Sequence, residues 1–149
     1  MSQAVKTASG QVTGDLYAEV RTYYATQMRR VDTLDIEGFA DTFTEDGVVV
    51  HSNGVRAEGR EEMVAGMHKA LPRYRDVAVR HWFDHVLIEP VDGVDELKVS
   101  YYSMVTLLDR EGRIEFEPTF LVEDVLVRRE GRLLTRERVI HRDQPVEQG

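Results

Sequence analysis

The chain has no cysteine among its 149 residues. That absence removes a disulfide framework, a thiolate nucleophile and any zinc site built on thiolates. Basic charge is also short: 19 Lys and Arg stand against 27 Asp and Glu, a formal charge of −8. Nucleic acid and anionic membrane surfaces both require a basic patch, so neither is expected as a partner. Local basic runs such as Arg128-Arg129 with Arg132 have acidic neighbours and read as a solvated strand end. No apolar run approaches the roughly 20 residues of a membrane span. The opening MSQAVKTASGQVTG lacks the apolar centre of a signal peptide. Residues 1–12 are therefore expected to be a flexible arm on a cytoplasmic protein, with 13–149 as one domain. There is no G-x-G-x-x-G and no P-loop for a bound nucleotide. Ser52, Ser100 and Ser103 sit in no strand–turn–helix elbow, so a serine triad finds no support.

What is present is an ordinary globular composition, 42% hydrophobic and 31% charged, long enough to bury a sizeable core. From Asp15 to about Val31, apolar residues recur at Leu16, Val20, Tyr23/Tyr24, Gln27/Met28 and Val31, a helical spacing with Asp15 as N-cap. Asp35 opens a second helix, IEGFADTFTEDG, with Ile36, Phe39, Ala40 and Phe43 on one face and Gly47 as its stop. VVVHSNG reads as a short strand ended by an Asn-Gly turn. GREEMVAGMHKAL reads as a third helix, with Met63, Val64, Met67 and Leu71 inward and Pro72 past its end. After Arg75 the pattern is β throughout, with strands expected at Val77–Glu89, Glu96–Leu108, Arg113–Arg128 and Arg132–His141. The connections PVDGVD, DREG and REG are hairpin turns in character. Helices followed by a long antiparallel meander define an α+β class. Strands this long in one sheet curl, and helices laid across the concave side make a cone with a pocket.

The stretch VRHWFDH, Val79 to His85, places two histidines and an aspartate inside a strand. Side chains alternate along a strand, so Val79, His81, Phe83, His85 and Leu87 are expected on one face, with Arg80, Trp82, Asp84, Val86 and Ile88 on the other. A metal site is not expected, because His81 and His85 would lie roughly 13 Å apart at about 3.3 Å per residue. Trp82, Val86 and Ile88, with residues of the last two strands, would form an apolar outer face, and a homodimer through it is expected.

The pieces YYATQMRRVDTLDIEGFADTFTEDGVVVH, GREEM and RHWFDHVLIE, followed by the hairpins, resemble the SnoaL-like branch of the nuclear transport factor 2-like superfamily. That branch is similar to scytalone dehydratase and to small cyclases of aromatic polyketide pathways. The resemblance covers about Tyr17 to Arg142 and implies three helices on a strongly curved, mostly antiparallel sheet, a cone-shaped α+β barrel. It implies His81 as general acid/base, with Asp32 at the end of the first helix orienting it. His51 falls where the dehydratase has a carbonyl-polarising tyrosine. A second histidine of the dehydratase would fall near Pro118 and is missing. The expected activity is cofactor-independent enolisation with ring closure or loss of water, on a hydrophobic or aromatic small molecule of polyketide type. The rival expectations are a non-catalytic ligand-binding protein of the same fold and the small subunit of a ring-hydroxylating dioxygenase.

Residue chemistry supports the first expectation. An imidazole titrating near pH 6.5 can take and return a proton at neutral pH, and an aspartate on its other nitrogen fixes the tautomer. Tyr24, two turns before Asp32, is a candidate contact for a substrate oxygen or a core tyrosine. His85 is either a substrate contact or a rim histidine bonded to a neighbour. Met28 and Met63, with Met67 and Met104, are either plain core or a soft wall for a flat ligand. Phe120, with Phe116 and Pro118, is expected to close the far side. His68 is expected to be exposed, and His141 to sit at a rim.

Overall fold

Helix α1 (Gly14–Asp32) starts at a threonine: Thr13 Oγ1 accepts the Leu16 N–H at 3.2 Å. The expected cap, Asp15, instead lies in the first turn, where its charge faces the positive end of the helix. The structure, a computed structural model, describes residues 12–147, so nearly all of the expected N-terminal arm lies outside the described residues. Leu16, Val20, Tyr24, Gln27, Met28 and Val31 form the buried stripe of α1, the face its periodicity predicts.

The second helix is shorter than expected. Helix α2 (Ile36–Ala40) begins after Asp35, whose Oδ1 caps Gly38 N at 3.0 Å, and ends after five residues. The apolar spacing through Phe43 fits a helix, but the sheet captures this segment. Thr42 O accepts Thr135 N at 2.9 Å, and β1 (Phe43–Val50) then runs parallel to the last strand. Gly47 is therefore no helix stop. It sits where the pairing register shifts, and a Cβ there would lie 3.0 Å from Thr44 O and 3.2 Å from Phe43 Cβ. The Asn-Gly turn is present, with Gly54 at φ 86°, and it leads into a short strand the sequence did not announce, β2 (Arg56–Glu58). Helix α3 (Gly59–Ala70) follows, and Pro72 falls inside a 3₁₀ turn, Leu71–Tyr74.

The remaining strands are β3 (Ala78–Pro90), β4 (Glu96–Leu108), β5 (Ile114–Phe116), β6 (Phe120–Arg129) and β7 (Arg132–Arg142). The strand expected at 113–128 is broken at Glu117–Thr119: Glu117 N still bonds Val105 O at 2.9 Å, continuing the β5 pairing with β4, but Pro118 has no N–H to give a ladder. The sheet order is β2-β1-β7-β6-β4-β3, with β5 also paired to β4. Every pairing is antiparallel except β1 with β7. The sheet curves without closing, so the expected cone is an open one in an α+β fold. One cluster joins α1 (Leu16, Val20, Tyr24, Met28) to the inner face of the sheet (Val79, Tyr101, Val122, Leu126). No helix among the described residues is long and apolar enough to cross a membrane.

Strand β3 departs from simple alternation. Its partners on β4 run Asp84↔Tyr102 and then Leu87↔Ser100, so His85 and Val86 together oppose one residue. His85 takes φ 56° to make this bulge. The faces therefore exchange at that point. Val86 is buried and Ile88 packs against the core, whereas His85 and Leu87 are exposed. The expectation that His81 and His85 share a face, with Val86 and Ile88 outside, is corrected by this one extra residue. A left-handed backbone penalises a β-branched side chain by about 1–2 kcal/mol and glycine not at all. His85→Gly is thus expected to unfold in urea within about 1 kcal/mol of wild type, and His85→Val about 1–2 kcal/mol below the glycine variant. Equal stability of the two variants would contradict the bulge.

Candidate active site

Strand β3 is an edge of the sheet, so alternate amides along its outer side have no strand to bond. Helix α1 ends against that edge, and its last residue supplies the missing acceptor. Asp32 Oδ1 accepts the backbone N–H of His81 at 3.0 Å and lies 2.7 Å from His81 Nδ1. A carboxylate can only accept, so the ring proton belongs on Nδ1. His81 Nε2 has no hydrogen-bond partner among the described residues and is the free basic nitrogen. The two side chains are 19% and 9% exposed, which keeps the pair largely away from screening water while leaving the imidazole reachable. Tyr74, from the 3₁₀ turn, stands edge-on to the His81 ring at 87° and 6.5 Å between centroids. It is itself fixed by Glu117 Oε1 at 3.1 Å and by Arg73 Nη2 at 2.7 Å.

The other sequence-predicted residues are not all gathered here. Met28 and Met63 are buried, Met28 with the main core and Met63 in a second cluster with Ala40, Phe43 and Val49. Phe120 is partly buried against the main core, with Phe83, Met67 and Leu107 in the same half-buried shell. Phe116 and Pro118 do not join Phe120, because the chain breaks between them; both are exposed. Tyr24 is wholly buried and gives its hydroxyl to Asp124 Oδ2 at 2.8 Å, so it is a core residue with its polar end already engaged. His51 is exposed at the end of β1, and the part of it that is desolvated lowers its pKa. His85 stacks on Tyr102 outside the sheet, with centroids 5.1 Å apart. His68 is exposed beside Glu37, and His141 meets Glu123 at 2.7 Å on the outer face. No three His, Asp or Glu side chains among the described residues converge as metal ligands would.

A second polar centre went unread in the sequence. Asp124 and Arg138, 0% and 6% exposed, form a bidentate pair at 2.9 and 2.8 Å. Arg138 Nη2 also donates to Gln27 Oε1, and Gln27 Nε2 donates to Thr42 Oγ1 at 2.7 Å. Burial alone would disfavour the Arg138 charge, but Asp124 and the tyrosines around it hold the proton more firmly than usual. The signal was available: in FLVEDVLV, alternation from Val122 to Leu126 puts Asp124 inward. A separate open groove of about 480 Å³, touching Ala18, Tyr23, Arg30 and Leu133, shares no residue with the His81–Asp32 pair.

A curled, open, mostly antiparallel sheet over helices is an α+β fold of the NTF2-like, cystatin-like type. The SnoaL-like domain family matches residues 14–139, and the chain belongs to that family. Aln2 from a Streptomyces species is 39% identical, with a TM-score of 0.83 over 87% of this chain and 92% of its own. A protein of Catenulispora acidiphila, solved in complex with S-DNPA, is 36% identical, with a TM-score of 0.79 over 87% of this chain and 95% of its own. An NTF2-like protein with a cystatin-like fold from Novosphingobium aromaticivorans shares the fold alone, at 17% identity and a TM-score of 0.74 over 85% of this chain and 80% of its own. No curated protein matches the chain.

The buried phenols around the Asp124–Arg138 pair make a pH prediction. Burial raises Tyr23 from 10.0 to about 12 and lifts Tyr24 and Tyr101 well above their ordinary value. A raised value in the folded state gives stability that is complete below pH 10 and lost as pH rises through 10 to 12. Urea midpoints are expected to hold at pH 8 and fall steeply by pH 11, and Tyr23→Phe to fall less steeply than wild type. An equal slope in the variant would show that Tyr23 is not buried as a neutral phenol.

Proposed function

We propose that this protein is a cofactor-independent cyclase or dehydratase of the SnoaL-like kind, acting by proton transfer through His81. The observation that carries the reading is the pairing of His81 Nδ1 with Asp32 at 2.7 Å while Nε2 is left without a protein partner. Nε2 takes a proton from the carbon beside a substrate carbonyl, leaving an enolate and an imidazolium. Asp32 stabilises that cation and keeps the ring oriented. The imidazolium then returns the proton, either to a hydroxyl that departs as water or to the alkoxide formed when the enolate carbon closes a ring. Proton balance needs no redox partner. Phe83, Met67, Leu107 and Phe120, half-buried against the main core, are the apolar side chains offered in this reading to a flat, aromatic, polyketide-type substrate. The S-DNPA bound by the Catenulispora relative is suited to a first binding titration.

The same outer face that the bulge reshapes supports a homodimer. Trp82, Leu87 and Tyr102 are each more than half exposed, and Leu108, Ile114 and Phe116 extend the patch along β4 and β5. Trp82 Nε1 reaches Thr106 Oγ1 at 2.9 Å, which places β3 and β4 side chains on one outer surface. Contiguous exposed apolar side chains of this kind mark interaction surfaces. Light scattering at micromolar concentration is expected to give a dimer mass for wild type and a monomer for Trp82→Glu. A monomeric wild type would remove the proposal.

For catalysis, single-turnover rates on aromatic β-keto substrates are expected to fall about 10²–10⁴-fold in His81→Ala, which loses the proton carrier. Asp32→Asn should fall by a similar factor with the fold kept, because asparagine can donate and so admits the wrong tautomer. Dialysis against a chelator should leave the wild-type rate unchanged. Equal rates in wild type and both variants would leave a ligand-binding protein with a structural histidine.

A further inference from the structure

The Asp124–Arg138 pair lies in a place where apolar packing would serve the core at least as well. Both side chains are removed from water, and for such pairs the attraction between the charges does little more than offset the desolvation. What the pair adds is direction. Each of its members is gripped from helix α1: Tyr24 Oη donates to Asp124 Oδ2 at 2.8 Å, and Gln27 Oε1 accepts from Arg138 Nη2. Tyr24 and Gln27 are one turn apart on the buried face of α1, and Gln27 is also held by Thr42 Oγ1 at 2.7 Å. Apolar contacts allow a helix to slide or roll by an ångström at small penalty, whereas a hydrogen bond weakens steeply with distance and angle.

Asp32 ends the same helix, roughly 7.5 Å along the axis from Gln27 at about 1.5 Å per residue. A slide or roll of α1 at Gln27 therefore reappears at Asp32, where the contact with His81 Nδ1 is 2.7 Å. We propose that Asp124 and Arg138 are positioning residues: through Tyr24 and Gln27, and beside the Tyr23 hydroxyl's bonds to Thr42 O and Thr135 Oγ1 at 2.7 and 2.6 Å, they restrict the axial position and rotation of α1, and so keep the Asp32 carboxylate on His81 Nδ1. Tyr24 and Gln27 transmit the constraint and touch no reacting atom. The importance of this positioning rests on the acid–base reading above, but its test does not, because the readout is the imidazole proton rather than turnover.

The experiment uses protein labelled with ¹⁵N in histidine, at a pH where the imidazoles are neutral, with the His81 signals assigned by their loss in His81→Ala. Wild type is expected to carry the His81 proton on Nδ1. Asp32→Asn defines the spectrum of a ring released from its carboxylate. In the double variant Tyr24→Phe/Gln27→Met, Asp124 and Arg138 keep each other as partners, so the sheet retains its ion pair. The His81 proton should then move to Nε2 in most molecules, toward the Asp32→Asn spectrum, with the dispersed amide spectrum of a folded protein. Tyr24→Phe alone removes one hydroxyl and should show the same shift in smaller proportion; it carries the test if the double variant does not fold. A folded variant whose melting temperature drops while His81 stays on Nδ1, as in wild type, would overturn the proposal and leave the network a purely structural one.

Discussion

One carboxylate oxygen does two tasks in this protein. Asp32 Oδ1 accepts both the main-chain N–H and the ring Nδ1 of His81, and the two tasks reinforce each other. The backbone bond satisfies an edge-strand amide that no neighbouring strand can reach and ties the helix end to the strand edge. Ordering an imidazole through side-chain contacts alone costs rotamer entropy; here a main-chain bond to the same carboxylate oxygen helps to place the acceptor.

The rest of the architecture can be understood as what this contact requires. Long curled strands bring the first part of β3, at His81, to the end of α1, and the helix must arrive at one height and one rotation. The apolar stripe of α1 gives the burial but not the precision, because a stripe of Leu16, Val20, Met28 and Val31 packs acceptably over a range of offsets. Polar contacts buried beneath the same helix narrow that range. The bulge at His85 serves the opposite side of the strand. By exchanging the faces after Asp84 it turns Val86 and Ile88 into the core and leaves Trp82, Leu87 and Tyr102 on a continuous outer surface.

How much of this could be read in the sequence differs from element to element. The spacing in α1, the run GREEM into α3 and the strand Glu96–Leu108 were legible because local pattern and tertiary role agree there. The segment Asp41–Gly47 was not, since its apolar spacing suits a helix and only pairing with Thr135, on a strand far along the chain, makes it β. The His81–Asp32 pair was legible through family resemblance and through the oddity of titratable residues in an apolar strand. His85 was misplaced because a non-glycine residue at φ 56° leaves no mark in composition. Asp124 and Arg138 were overlooked for a different reason: each sits in a strand rich in charges, and the pattern of inward positions had to be followed through the strand to separate Asp124 from Glu123.

In the proposed reaction His81 Nε2 is the atom that meets the ligand. A crystal structure of the protein with S-DNPA tests this most directly. The expected result is a ligand atom within about 3.5 Å of His81 Nε2, with the rest of the molecule against Phe83 and Phe120. A ligand seated instead in the open groove between α1 and the start of β7, touching Tyr23, Arg30 and Leu133 and leaving His81 untouched, would contradict it.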